Sequence, residues 1–226
     1  FMTTALQIDF VSDVACPWCA VGLYSLDRAL ERLKDEVQVH IEFQPFELNP
    51  DMPPGGEDLD EHLSRKYGSS PAQLAQSRRA IVERGAEVGF AFRPEGRGRV
   101  YNTFDAHRLL CWAAAEGPQG AQKNLKQSLL QAYQGRAECI ESPEVLLACV
   151  AEAGLPIEAA REVLAQGRYA EEVRMRERLY QQAGIHSVPA IIINQRHLIS
   201  GGQPVEVFEQ ALREIAAGLH DAPAQS

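Results

Sequence analysis

No run of apolar residues in this chain approaches the roughly 18–20 that a membrane-spanning helix needs, so none is expected. No basic-then-apolar segment opens it, so no export signal is expected and the cytoplasm is the default compartment. Met2 is expected to be the natural start, with Phe1 foreign to it. Basic residues are not in excess. Lys and Arg number 22 against 31 Asp and Glu, a net charge of −9, which disfavours nucleic acid and anionic membrane as partners. Cysteine is scarce at five, and in a reducing cytoplasm a disulfide is catalytic or transient rather than structural. There is no second C-x-x-C and no H-x-x-x-H pair, so a four-ligand zinc site cannot be assembled and no metal is expected. Internal repeats and low-complexity tracts are absent too. What remains is a 226-residue chain, 45% hydrophobic and 23% charged, enough for one large domain or one domain with an insertion.

The stretch Ser12-Asp13-Val14-Ala15-Cys16-Pro17-Trp18-Cys19 organises the rest. It follows an alternating strand-like run, residues 6–11, and leads into residues 22–33, apolar at helical spacing. The two cysteines therefore stand where a strand hands over to a helix. The first turn of a helix has unpaired N–H groups and a partial positive charge, which stabilise a thiolate. Cys16 is accordingly read as the outer, attacking thiol and Cys19, one turn on, as the inner, resolving one. Pro17 suits the first helical turn, where its missing N–H costs nothing. Trp18, between the cysteines, is expected to offer a contact surface to substrate.

Residues 37–46 alternate again and predict a second strand, making a right-handed βαβ unit. Proline and glycine break the pattern over residues 47–56. Helical periodicity then predicts helices over 58–67, 71–89, 103–116, 119–134, 142–153, 156–165 and 168–183. Residues 93–101 read as a polar, glycine-rich loop. Strand signals return at 190–194 and 197–200, spaced as a hairpin, before a last helix over 204–219. The predicted class is α/β: a thioredoxin fold of order βαβ–ββα carrying a large all-helical insertion. Residues 5–50 and 185–219 form the thioredoxin-like domain, 51–184 the inserted helical domain, and 220–226 a disordered tail.

Four pieces in this order carry a family resemblance: Ser12-Asp13-Val14-x-Cys16-Pro17-Trp18-Cys19, Phe46-x-Leu48-Asn49-Pro50, Asn102-Thr103-x-x-Ala106-His107-Arg108-Leu109, and Ser200-Gly201-Gly202-Gln203-Pro204. With Val188-Pro189 before a strand, the chain resembles the DsbA-like thioredoxin superfamily. The likeness is strongest to the FrnE-like branch grouped with 2-hydroxychromene-2-carboxylate isomerases. The resemblance implies a cis-proline loop at Val188-Pro189 facing the cysteines, where exposed backbone pairs with an extended substrate. It implies that Asn102 and His107 face the site from the insertion, and that Ser200, Gly201 and Gln203 belong to a loop that holds glutathione in relatives that use it. Read locally, Asn102 is a helix N-cap, His107 an interface histidine and Ser200–Gln203 a strand-end turn. The isomerases and kappa-class glutathione transferases of this branch carry serine where this chain has Cys16, so two cysteines favour thiol–disulfide exchange.

The expected activity is thus a disulfide oxidoreductase acting on protein, peptide or low-molecular-weight thiols and disulfides; a glutathione-dependent isomerase or transferase is the alternative. No cofactor is expected to be bound obligatorily. The Cys16–Cys19 disulfide is the redox group, glutathione is allowed as a substrate, and a homodimer is left open. Cys111, Cys139 and Cys149 are read as structural thiols. The arginines at 93, 97 and 99 read as a solvated loop, with a positive rim for an anionic substrate as the other reading. His186, three residues before Pro189, either lines the site or stands solvated.

Overall fold

The computed structural model describes residues 3–221 of the chain. Strand β1 (Thr4–Ser12) is central, and its side chains are buried on both faces from Ile8 onward. Four residues separate β1 from helix α1 (Pro17–Arg32), which has Cys16 as its N-cap and Pro17 in its first turn. Strand β2 (Val37–Pro45) returns parallel to β1, Ile8 opposite Ile41 and Phe10 opposite Phe43. The rings of Phe10 and Phe43 lie 5.4 Å apart and hold that register in the core.

The insertion follows. It comprises β3 (Glu57–Asp58), α2 (Leu59–Tyr67), α3 (Pro71–Val88), β4 (Arg99–Val100), α4 (Phe104–Glu116), α5 (Ala121–Leu130), α6 (Pro143–Glu152), α7 (Ile157–Ala165) and α8 (Ala170–Gln182). The helices fall where apolar periodicity placed them, and Pro71 and Pro143 sit in first turns as expected. The insertion is not purely helical. β3 and β4 pair as a short antiparallel ribbon, Glu57 opposite Val100; β3 takes the start of the helix expected over 58–67, and β4 lies in the loop read over 93–101. Two residues per strand fall below any window in which alternation shows. The helix expected over 119–134 also ends early. After Leu130 the chain makes a π-helical turn, Gln131–Gly135, closed by Arg136 N–H donating to Gln131 O at 3.0 Å.

The chain then re-enters the sheet through β5 (Ala190–Ile193) and β6 (His197–Ser200), and closes with α9 (Val205–Asp221). Strand order is β2-β1-β5-β6, with β5 antiparallel to β1 and β6 antiparallel to β5. That is a βαβ–ββα sheet interrupted by a helical insertion, as the sequence predicts. Phe208 and Leu212 of α9 are fully buried as α9 packs on α1. Of the segment expected to be a disordered tail, the backbone of residues 220–221 continues α9, and 222–226 lie outside the described residues.

Polar side chains tie the insertion to the sheet. Gln122 of α5 accepts from Phe43 N–H at 2.9 Å and donates to the carbonyls of Phe43 and Leu110, capping the free edge of β2. Buried Arg108 of α4 donates to the carbonyls of Val163 and Leu164 in the last turn of α7 and of Arg168 beyond it, where a cation is favoured. Arg174 of α8 bridges Glu47, just past β2, and Glu177, while its guanidinium lies 4.0 Å from the Phe104 ring centroid. Desolvation pushes Glu47 up to about 8, the facing Glu177 pushes the same way, and Arg174 opposes them in part.

A carboxyl group whose value is raised on folding binds a proton more tightly in the folded chain. The Glu47 term therefore lowers stability as pH rises from 4.5 through about 8. Glu47→Gln is expected to lose less stability than the unchanged protein between about pH 5 and 8. Urea midpoints at the two ends check this; parallel losses in both proteins would show that Glu47 does not carry the proton.

Candidate active site

The backbone turn between β1 and α1 sets the two sulfurs. Cys16 N–H donates to Asp13 O and Cys19 N–H to Cys16 O, each at 3.1 Å, which winds the chain into the helix at the first cysteine. The two cysteines are described as free thiols. Cys16 is 6% exposed and Cys19 is fully buried. The Cys19 thiol donates to the Cys16 sulfur and is the largest influence lowering Cys16 below 9.0. Burial raises Cys16 again, the N–H groups of Cys19 and Trp18 lower it, and the Asp13 charge raises it. For Cys19 the same arrangement works in reverse, and desolvation, with Cys16 beside it, drives its thiol well above 9.0. A helix start thus contributes as expected, but the partner thiol contributes more.

The Val188–Pro189 bond is cis, and Val188 O lies 3.7 Å from Cys16 Sγ. This loop and the cysteine turn form one end of a cleft of about 610 Å³. Cys16, Pro17, Trp18, His186 and Val188 line it from the thioredoxin-like part. The insertion supplies the opposite wall. Leu59, Leu63, Leu74, Ile81 and Phe92 give an apolar surface, and Lys66, Arg78, Arg93 and Arg97 give the charge. Among the described lining residues there is no carboxylate, although the whole chain carries −9. Two of the three loop arginines are therefore wall residues. Arg99 is not; it binds the carbonyls of Gly55 and Gly56.

The other residues singled out from the sequence stand around this cleft rather than in its wall. Pro189 packs beside Gly22, where an added Cβ would come within 3.2 Å of its ring. Gly201 N–H donates to Pro189 O at 2.9 Å, Gln203 Nε2 to Ser200 O at 2.8 Å, and Ser25 Oγ to Gln203 O at 2.6 Å. Ser200, Gly201 and Gln203 thereby brace the cis-proline strand against α1. Asn102 is not the N-cap of α4. Thr103 holds that position, and Asn102 Oδ1 accepts from Phe104 N–H one residue early. His107 is buried behind the cysteines. Its Nε2 reaches Phe46 O at 3.0 Å and Asp13 Oδ1 at 3.3 Å; both are acceptors, so Nε2 carries the proton.

Asp13 and Lys126 were not singled out from sequence. Asp13 is fully enclosed, and burial alone would raise it. The His107 hydrogen bond and charge, Leu48 N–H and the Thr103 side chain outweigh this and hold it below 3.8. Lys126 sits on α5 in register with Gln122, Leu125, Leu129 and Leu130, all buried. A lysine on an apolar stripe was the available signal. Gln134, from the π-helical turn, also reaches the cleft and donates to Val14 O at 2.8 Å. A second cavity of about 490 Å³ beside β2 holds only Cys111 as a thiol, pushed up to about 12 by burial. Cys149 is likewise pushed up to about 11, and Cys139 is free and half-buried.

The chain is similar to known proteins. The crystal structure of probable DsbA oxidoreductase SCO1869 from Streptomyces coelicolor superposes with a TM-score of 0.85 at 32% identity, covering 98% of this chain and 93% of that one. Cytosolic disulfide reductase DsbM from Pseudomonas aeruginosa, solved with GSH, shares the fold at 17% identity and a TM-score of 0.62, over 93% and 99% of the two chains. The uncharacterized protein YwbO of Bacillus subtilis (strain 168) is 26% identical over 213 residues, 92% of this chain and 96% of its own. The family model for the DSBA-like thioredoxin domain matches residues 7–213, and the chain belongs to that family.

Proposed function

We propose that this chain is a thiol–disulfide oxidoreductase in which Cys16 is the nucleophile and Cys19 the resolving thiol. The observation that carries the reading is the asymmetry of the two sulfurs: one lowered and opening on a cleft, the other raised and sealed one turn behind it. The Cys16 thiolate attacks one sulfur of a substrate disulfide; the S–S bond breaks and the other half leaves as a thiolate. Cys19, once deprotonated, attacks Cys16 Sγ, expels the second half as a thiolate and closes the Cys16–Cys19 disulfide. The reverse sequence oxidises a dithiol. Val188 O beside Cys16 Sγ supports backbone pairing with a peptide-like substrate.

The wall chemistry supports a small anionic thiol or disulfide with an apolar portion, glutathione disulfide among them; DsbM, of the same fold, was solved with GSH. No helix among the described residues is long and apolar enough to cross a membrane, and cytoplasmic action is part of the proposal. The apolar wall would also suit an aromatic substrate of an isomerase, but that chemistry does not need Cys19.

Cys19→Ala separates the two. The oxidoreductase loses catalytic turnover by about a thousandfold and accumulates a mixed disulfide on Cys16, seen by mass spectrometry. Retained turnover without an adduct would contradict the proposal. Arg93→Gln, at the rim, is expected to raise KM for glutathione disulfide about three- to tenfold with kcat little changed, and more at low than at high salt. An unchanged KM would remove Arg93 from the binding surface.

A further inference from the structure

The π-helical turn Gln131–Gly135 buries three successive residues, Ala132, Tyr133 and Gln134. Turns of this kind interrupt the regular hydrogen-bond ladder and are frequent at functional sites. A glutamine in a buried run needs partners for both ends of its amide. Gln134 finds them in two separate places. Its Nε2 donates to Val14 O at 2.8 Å, inside the turn that carries Cys16. Its Oε1 accepts from Arg97 Nη1 at 3.4 Å, on the wall of the cleft. A carbonyl demands the donor end and a guanidinium the acceptor end, so both contacts fix the same orientation of the amide. The backbone carbonyl of Gln134 also accepts from Arg93 N–H at 3.0 Å, which ties the loop before β4 to the same turn.

Arg97 differs from two of the cations beside it. Arg78 pairs with Asp60 and Arg93 with Glu95, whereas among the described residues Arg97 meets neutral groups. Its Nε donates to Tyr133 Oη at 3.2 Å, and its guanidinium lies 5.3 Å from the Tyr133 ring centroid. Tyr133 is fully buried and donates its own hydroxyl to Arg99 O at 2.7 Å, so the platform under Arg97 is fixed. Arg97 is thus a half-buried cation held by uncharged partners, with its charge left for an anion in the cleft. Lys66 also has neutral partners, Leu48 O and Asn49 Oδ1, and supplies a second such charge from α2.

Resting on the oxidoreductase reading above, we propose that Gln134 is a positioning residue for attack on an anionic disulfide. One side chain spans the turn that carries the nucleophile and the cation that receives the charge of the substrate. A carboxylate bound on Arg97 is thereby set at a fixed place relative to Cys16, and the disulfide attached to it meets the sulfur already oriented. The amide of Gln134 is taken up by Val14 and Arg97, so it acts through them. A glutamate could not donate to Val14 O, a lysine could not accept from Arg97, and a methionine of similar length could do neither.

Reduced full-length protein is mixed with glutathione disulfide, which is anionic, or with bis(2-hydroxyethyl) disulfide, which is uncharged. Acid quenching and alkylation give the second-order rate of Cys16–Cys19 oxidation, and the ratio of the two rates measures the preference for the anion. Gln134→Met is expected to cut this ratio about tenfold, and Arg97→Gln about as much, with Lys66 sustaining the remainder. The double variant should cut it no further than either change alone, because both act through one cation. A ratio left unchanged by Gln134→Met, even with both rates lowered, marks a purely structural glutamine and overturns the proposal. Losses that multiply in the double variant overturn it too. Should Gln134→Met not fold, Gln134→Asn, one methylene shorter and unable to reach both partners, decides by the same two criteria. Failure of either disulfide to oxidise Cys16 and Cys19 in the unchanged protein overturns the oxidoreductase reading itself.

Discussion

Two sulfurs one helical turn apart cannot both be anions in a dry site, and their surroundings favour a charge on the outer one over a charge on the inner one. A Cys19 thiol that donates to Cys16 lowers the outer sulfur and is itself made harder to ionise by the same contact. First-turn N–H groups of α1, those of Cys19 and Trp18, add to the bias. Around this pair the sheet has one task, to keep the β1–α1 turn rigid. Phe10 and Phe43 lock the two parallel strands, and the cis-proline strand is braced from the far side by Gly201.

The insertion gives the cysteine turn a walled cleft. It brings a roof of Leu59, Leu63, Leu74 and Phe92 over Cys16 and lines the rim with cations against the sign of the whole molecule. Two of these cations are paired just outside the wall, Arg78 with Asp60 and Arg93 with Glu95. The same insertion closes the back of the site. His107 on α4 and Lys126 on α5 enter the core, His107 against Asp13 and Lys126 over the Phe43 ring.

Much of this was readable in the chain. The strand–CPWC–helix order placed both cysteines, and periodicities of two and 3.6 placed the sheet and the helices. The cis bond at Pro189 came from the family resemblance rather than from local physics. What escaped were features that depend on tertiary surroundings. The β3–β4 ribbon is too short to alternate, and the π-helical turn at Gln131–Gly135 has the composition of an ordinary helix. Nothing in the local spacing of Lys66, Arg78 and Arg93 says that two helices and a loop converge on one cleft. Asn102 stands one residue before the N-cap of α4, which Thr103 takes, and boundaries of this kind shift by a residue with packing.

Every step of this chemistry begins with the Cys16 anion, and its titration in the intact protein is the direct measure. Alkylation by iodoacetamide, followed against pH and assigned to Cys16 by peptide mass spectrometry, reports the fraction of thiolate. The structure predicts a midpoint below 9.0, with Cys19 unmodified throughout the range. A Cys16 that titrates at or above 9.0, or a Cys19 that alkylates first, would contradict the account.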